Sequence, residues 1–332
     1  MHTKDLGLAV LILVVGLAVA LINPRFLSPV NLANTLNLIG LFGMFSVASA
    51  FVIVTGGIDL SVGSVIALLG VLFVDMIVVQ HVVWPLAAVI ILCIAALIGG
   101  LHGWLVTRLG LQPFVVTLCG LLIYRGAARY YTADGTAGFT FGQTFPTLDL
   151  VFNGRSFGVP HSILAFAVIA FAAWYVLHRT VFGRHLFALG KNEQAARYSG
   201  INTRRVIVMA YVICALLTGL SALFFAMYTK SIQPSSHGNF YELYGIAAAV
   251  LGGFSLRGGE GSIVGVVLGV VLLQMLQNLV NMLGIPSSLN FAVMGTVILV
   301  GVIADNQVAH YRAARRQAAT MAGVGVPPGG AR

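Results

Sequence analysis

Ten apolar runs divide this chain, and about 20 such residues are what one crossing of a hydrocarbon layer needs. They cover residues 6–22, 37–55, 60–80, 82–106, 113–131, 160–178, 206–228, 243–255, 261–283 and 288–304. Runs three and four are parted only by a tight turn near Gln80–His81, and run eight is short. Of 332 residues, 59% are hydrophobic and only 8% are charged, with a mean hydropathy of +0.98. A soluble domain carries about 25% charged residues. The expected fold class is therefore an all-α polytopic membrane protein with about ten transmembrane helices.

The first run also fits a secretory signal, since Ala18-Val19-Ala20 offers a small-residue cleavage site. Against that, Asp5 offsets Lys4 and the run is long for a signal's apolar core. A retained helix is the expectation. With both termini placed in the cytoplasm, thirteen of the 18 Lys and Arg residues fall on the inner side. The other five are Arg25, Arg125, Arg129, Arg155 and Lys230. Positive-inside sorting predicts such a bias. The pI of 9.8 is read as this topology signal, with anionic headgroups as counter-charge, and not as a nucleic-acid footprint, because no single soluble face gathers the charge.

Between runs two and three stands Thr55-Gly-Gly-Ile-Asp-Leu-Ser-Val-Gly-Ser64, one carboxylate among three glycines. Glycine permits backbone that other residues resist. Broken backbone at membrane depth survives only where protein buries it or water reaches it. Gly56, Gly57, Asp59, Ser61 and Gly63 are thus a candidate turn or gate. Asp59 is expected to be a solvated loop acid capping the third helix, whose N-terminus favours negative charge, in preference to a solute contact.

The segment 179–205 carries six of the thirteen inner charges. Within it, Asn192 is a favoured N-cap, Glu193 suits a helix N-terminus and stands four residues before Arg197, and Gly200 is a natural stop. A helix of about two turns outside the membrane follows. Local signals leave open whether it is a surface turn or a docking helix for another protein.

No catalytic constellation accompanies these features. Cys93, Cys119 and Cys214 lie singly within runs and read as packing residues. The eight histidines show no zinc spacing, and no nucleophile elbow occurs. Gly190-Lys191 is followed by Asn192, so a P-loop is absent. The chain is not expected to be an enzyme, to hold a metal or to bind a cofactor.

Gly56-Gly-Ile-Asp-Leu-Ser-Val-Gly63, Gly190-x-Asn-x-x-Ala-Ala-x-x-x-Gly-Ile201 and Gly252-Gly-x-x-Leu-x-Gly-Gly259 together carry a resemblance. The chain resembles the permease subunits of ribose-type bacterial ABC importers, which take up monosaccharides and autoinducer-2, over residues 30–305. The resemblance implies an ABC importer permease fold in the bacterial inner membrane. It implies a homodimer or heterodimer of permeases, a separate cytoplasmic ATPase that binds the ATP, and a periplasmic solute-binding protein. It makes Glu193, Gln194, Ala195, Ala196 and Gly200, with their neighbours Asn192 and Arg197, the coupling helix near 192–200. Import of a branched-chain amino acid or other small solute by the same architecture is the alternative. An ion-driven secondary carrier is a further one, for which Asp75 would be the only plausible mid-span acid.

Gln274, Gln277, Asn278 and Asn281 recur at i, i+3, i+4 and i+7 on the ninth run, one helix face. Amides both donate and accept, so this row is a candidate solute path, with interhelical hydrogen bonding the competing reading. Gly261, Gly265 and Gly269 on the same run form a close-packing pattern. Asp75 is undecided between a partner and the outer interface. Arg125 and Arg129 share a face and are expected to reach headgroups or to meet acids of the binding protein. The Gly- and Phe-rich 132–159 loop is a candidate outer gate. Residues 1–312 form one transmembrane domain, and 313–332 a disordered basic tail.

Overall fold

The computed structural model describes residues 3–140 and 142–286, with positions 289, 292, 293, 295, 296 and 299. Most of the tenth run falls outside the described residues, as does the whole 313–332 tail. Among the described residues, six helices are long and apolar enough to cross a membrane by length and composition. They are α1 (Thr3–Ile22), α2 (Pro29–Ile53), α4 (Trp84–Arg108), α7 (His161–Arg179), α10 (Thr203–Thr229) and α12 (Ile263–Met282). Between them lie α3 (Val62–Val78), α5 (Pro113–Tyr131) and α11 (Tyr241–Leu251), matching runs three, five and eight. At 11 residues, α11 rises only about 16 Å, half a bilayer core.

Helix α2 is the axle. Every residue from Ile39 to Ile53 is buried, as suits a helix apolar on all sides. It begins eight residues before the apolar run, because Ser28 accepts from the Asn31 N–H and Pro29 occupies the first helical position. Around it pack α7, α10, α11 and α12. Small residues set these contacts. Gly99 and Gly103 of α4 lie on the α10 backbone at Tyr211 and Val208, and Gly265 and Gly269 of α12 lie on the Gly252 and Ala248 carbonyls. Adding a Cβ at any of them would press it into its neighbour, so glycine here sets interhelical distance. The sequence pattern on α12 is thus a packing seam toward α11.

Three further helices flank the spans. α6 (Pro146–Asn153) lies inside the 132–159 loop, and α8 (Val181–Lys191) precedes α9 (Glu193–Tyr198). The α6 side chain Phe152 meets Phe224 edge-on at 4.8 Å, so part of the expected loop is a packed helix. Short strands complete this end. β1 (Ala137–Gly138) pairs antiparallel with β4 (Ser231–Ile232), and β2 (Arg155–Ser156) with β3 (Val159–Pro160).

Candidate functional site

The glycine-rich break between α2 and α3 is buried at Gly57, Asp59, Ser61 and Gly63, while Gly56 is exposed. Asp59 is only 6% exposed, which corrects the expectation of a wet loop acid. Its Oδ1 accepts from the Ser61 N–H at 2.8 Å and from the Ser61 hydroxyl at 2.6 Å. Its Oδ2 stands 4.0 Å from His102 Nδ1 and 3.9 Å from Cys214 Sγ. His102 Nε2 lies 2.9 Å from the Tyr124 hydroxyl. The buried Tyr211 hydroxyl has no hydrogen-bond partner among the described residues. Four helices thus converge on one carboxylate, and none of these groups comes close enough to another two to hold a metal among the described residues.

A second acid completes the cap. Glu242, buried in the first turn of α11, sets its Oε2 against Gly63. Two carboxylates therefore stand at the start of α3, where partial positive charge gathers. Arg125 lies near enough to Glu242 to be attracted to it. It neither reaches headgroups nor stays free, because its Nη1 donates to the carbonyls of Pro234, at 2.7 Å, and His237. Arg129 instead pairs with Asp134 at 2.6 Å. Asp75 accepts from the Tyr131 hydroxyl at 2.6 Å and from Gln80 at 2.7 Å. Sequence reasoning missed His102, Tyr211 and Glu242. Only Glu242, a lone acid at the head of an apolar run, left a signal.

Three separate glycine motifs meet at the end of α2. The Gly259 N–H donates to the Val54 carbonyl at 2.8 Å. The Gly190 Cα faces that same carbonyl and the Gly259 N–H, and the Gly258 Cα faces the Gly56 backbone. Gly56, Gly258 and Gly259 all adopt positive φ, at 82°, 83° and 73°, a region open to glycine at little cost. Backbone meets backbone here with no room for a Cβ.

From this knot α9 projects. Asn192 Oδ1 accepts from the Ala195 N–H at 3.0 Å, and Gly200 has φ 84°, as cap and stop require. Glu193, Gln194, Ala195 and Arg197 are exposed. Ala196 is buried and anchors the helix, so it does not present a side chain to a partner. The expected Glu193–Arg197 ion pair is not among those of the described residues. Both side chains instead line a cavity of about 480 Å³ with Gly56, Gly57, Gln112 and Tyr211.

The four amides of α12 separate. Gln277 accepts from the Tyr244 hydroxyl at 2.7 Å, and Asn278 donates to Asn31 at 2.8 Å and Thr35 at 3.1 Å. These two bind α11 and α2. Gln274 is buried with neither amide atom hydrogen-bonded among the described residues, and Asn281 is exposed. Of the cysteines, Cys93 and Cys119 are exposed and Cys214 is buried.

Comparison with known proteins follows this geometry. Residues 31–302 match the family described as the branched-chain amino acid transport system / permease component. The ribose import permease protein of Escherichia coli K12 is 37% identical over 307 residues, 92% of this chain and 94% of that protein. The Bacillus subtilis 168 ribose import permease protein is 39% identical, covering 91% of each. This chain is a permease of the ribose-type ABC importer family. An autoinducer 2 import system permease protein of Salmonella typhimurium LT2 is likewise 32% identical to this permease, over 93% of each. No solved structure matches it.

Proposed function

We propose that this permease is the transmembrane subunit of an importer that carries a monosaccharide or sugar-like solute across the bacterial inner membrane, driven by a separate ATPase. The observation that carries the proposal is the junction of the end of α8, three residues before α9 begins, with the α2–α3 break through Gly190, Val54 and Gly259. A push on α9 meets backbone with no soft side chain between, and so reaches the buried Asp59 region directly. Such a linkage suits a switch in which an external partner biases two states. The exposed residues Glu193, Gln194, Ala195 and Arg197 face that ATPase, while Asn192 and Gly200 shape the helix. The relatives' names support a sugar or autoinducer cargo.

In this reading two permeases pair, a periplasmic protein delivers solute, and about ten spans place both termini in the cytoplasm. Residues 1–312 form the transmembrane domain and 313–332 a cytoplasmic tail. Gln274, the amide left without partners, is the residue of its row that faces solute, and Asn281 marks the mouth. Gln277 and Asn278 shape the wall by holding α11 and α2. The test is reconstitution with the cognate ATPase and binding protein. ATP-dependent accumulation of radiolabelled D-ribose or another monosaccharide is expected, and accumulation of leucine but no sugar would favour the branched-chain alternative.

A further inference from the structure

Residues 233–240 join β4 to α11 without regular structure, and they run down the side of α3. Ile232 Cδ1 packs at Gly70, and the Gly238 carbonyl packs at Gly63. Seven residues of helix separate those two points, about 10 Å of rise. The upper end is fixed by β1, beyond the end of α5, and the lower end by the first turn of α3. Arg125, which holds the loop through Pro234 and His237, lies twelve residues into α5, about 18 Å along it. The loop therefore sits at membrane depth.

Its two faces differ. Ile232 at its head, Pro234 and Gly238 are buried against the bundle, whereas Ser235, Ser236, Asn239 and, at its foot, Phe240 are exposed. Ser235 Oγ accepts from Gln233 Nε2 at 3.2 Å and Asn239 Nδ2 donates to the Ser235 carbonyl at 3.1 Å. Irregular backbone does not face hydrocarbon, because nothing there satisfies its polar groups, and each hydroxyl or amide group left open costs about 2–7 kcal/mol in an apolar phase. This face must meet water or protein. We propose that Ser235, Ser236 and Asn239 form one wall of the water-filled route taken by the solute, with a second permease copy closing the far side.

The chemistry of the face also selects a ligand class. Two hydroxyls and a carboxamide donate and accept alike and bring no charge. Arg125 and Glu242 are turned inward, and the exposed Asp134 and Lys230 near the head of the loop are paired with Arg129 and Asp149. Such a wall takes an uncharged, polyhydroxylated solute and gives no counter-charge to an amino acid's carboxylate or ammonium. The inference rests on the importer reading and deepens it by naming the lining element.

Thiol accessibility in the assembled importer tests it. In a Cys93→Ala, Cys119→Ala background, Asn239→Cys and Ser236→Cys are compared with Leu122→Cys, an exposed apolar position on α5. A membrane-impermeant methanethiosulfonate is the reagent and D-ribose the probe. The two loop thiols are expected to react about tenfold faster than the Leu122→Cys thiol, which hydrocarbon shields, and saturating D-ribose is expected to slow them. Reaction no faster than at Leu122→Cys, or rates indifferent to D-ribose in vesicles that accumulate it with ATP, would overturn the proposal. If the parent complex accumulates no sugar, the cargo reading fails, while the labelling rates still decide whether the loop is wet.

Discussion

Asp59 shows how a single side chain can be legible in kind and misread in place. Its motif announced a helix start, and the carboxylate accepts from the N–H and hydroxyl of Ser61, the residue just before α3. Its burial depends on His102, Tyr211 and Cys214, which other helices bring from far along the chain. No local pattern encodes that convergence. Asp59→Ala is expected to lower the permease's stability by about 1–3 kcal/mol, since the Ser61 N–H loses its acceptor in a buried site. Asp59→Asn keeps an acceptor oxygen there and should lose less, as thermal unfolding in detergent would show. An equal loss for both variants would mean that charge, not hydrogen bonding, matters at this position. Gly190 offers a second test on backbone alone. An added Cβ meets the Val54 carbonyl and the Gly259 N–H, so Gly190→Ala should cost about 1–3 kcal/mol by overpacking. Unchanged unfolding would show that the knot has slack.

Helices whose caps are local were the legible elements. The cap at Asn192 and stop at Gly200 placed α9, and apolar runs placed α4, α5, α7 and α12 within a few residues. The elements missed were those whose signal is amphipathic or brief. α8 hides its apolar side among charges, and α6 is eight residues inside a loop. At α9 the structure divides two roles that adjacency in sequence had merged. Gln194→Trp changes an exposed face and should weaken ATPase binding about tenfold, or about 1.4 kcal/mol, with the permease still folded. Ala196→Trp should instead destabilise the permease itself, because that methyl is buried. Binding of the purified ATPase and unfolding of the permease, measured on both variants, separate docking from anchoring. α6 is tied down by the ion pair of Asp149 with Lys230, at 2.9 Å. Partial burial pushes the Asp149 carboxyl up, but the hydrogen bonds from Lys230 and Asn153 and the Lys230 charge take it below its ordinary value. A carboxyl lowered by folding stabilises above its unfolded pKa, and that stability is lost as pH falls through the folded value. Lys230 is exposed and Asp149 half-buried, so solvent screens the pair and the effect should be small, about 0.2–1 kcal/mol. Comparing Asp149→Asn with the parent chain at neutral and acid pH would reveal it as a difference present only at neutral pH.

For the whole molecule, the source of energy turns on what the buried acids do. Sequence alone pointed to Asp75 as the one plausible mid-span acid for an ion-driven carrier, yet Asp75 sits with Tyr131 and Gln80 at the end of α3. Of the three buried acids among the described residues, Asp5 stands in the first turn of α1, and Asp59 and Glu242 stand at the start of α3. Asp59 accepts from the Ser61 N–H and Glu242 Oε2 lies against Gly63, so each is engaged in holding the break between α2 and α3. A carboxylate that cycles protons must release such bonds at every turnover, and the freed N–H groups would then be buried without partners. The same break is joined rigidly to α9, where a partner can act on it from outside. Energy is therefore expected to enter through α9. Reconstituted alone with an imposed proton or sodium gradient, the permease should accumulate no sugar. Adding the ATPase, the binding protein and ATP should start accumulation, and dissipating the gradient with an ionophore should leave its initial rate unchanged. Uphill uptake by the permease alone, abolished by Asp59→Asn or Glu242→Gln, would transfer the driving role from α9 to these two carboxylates.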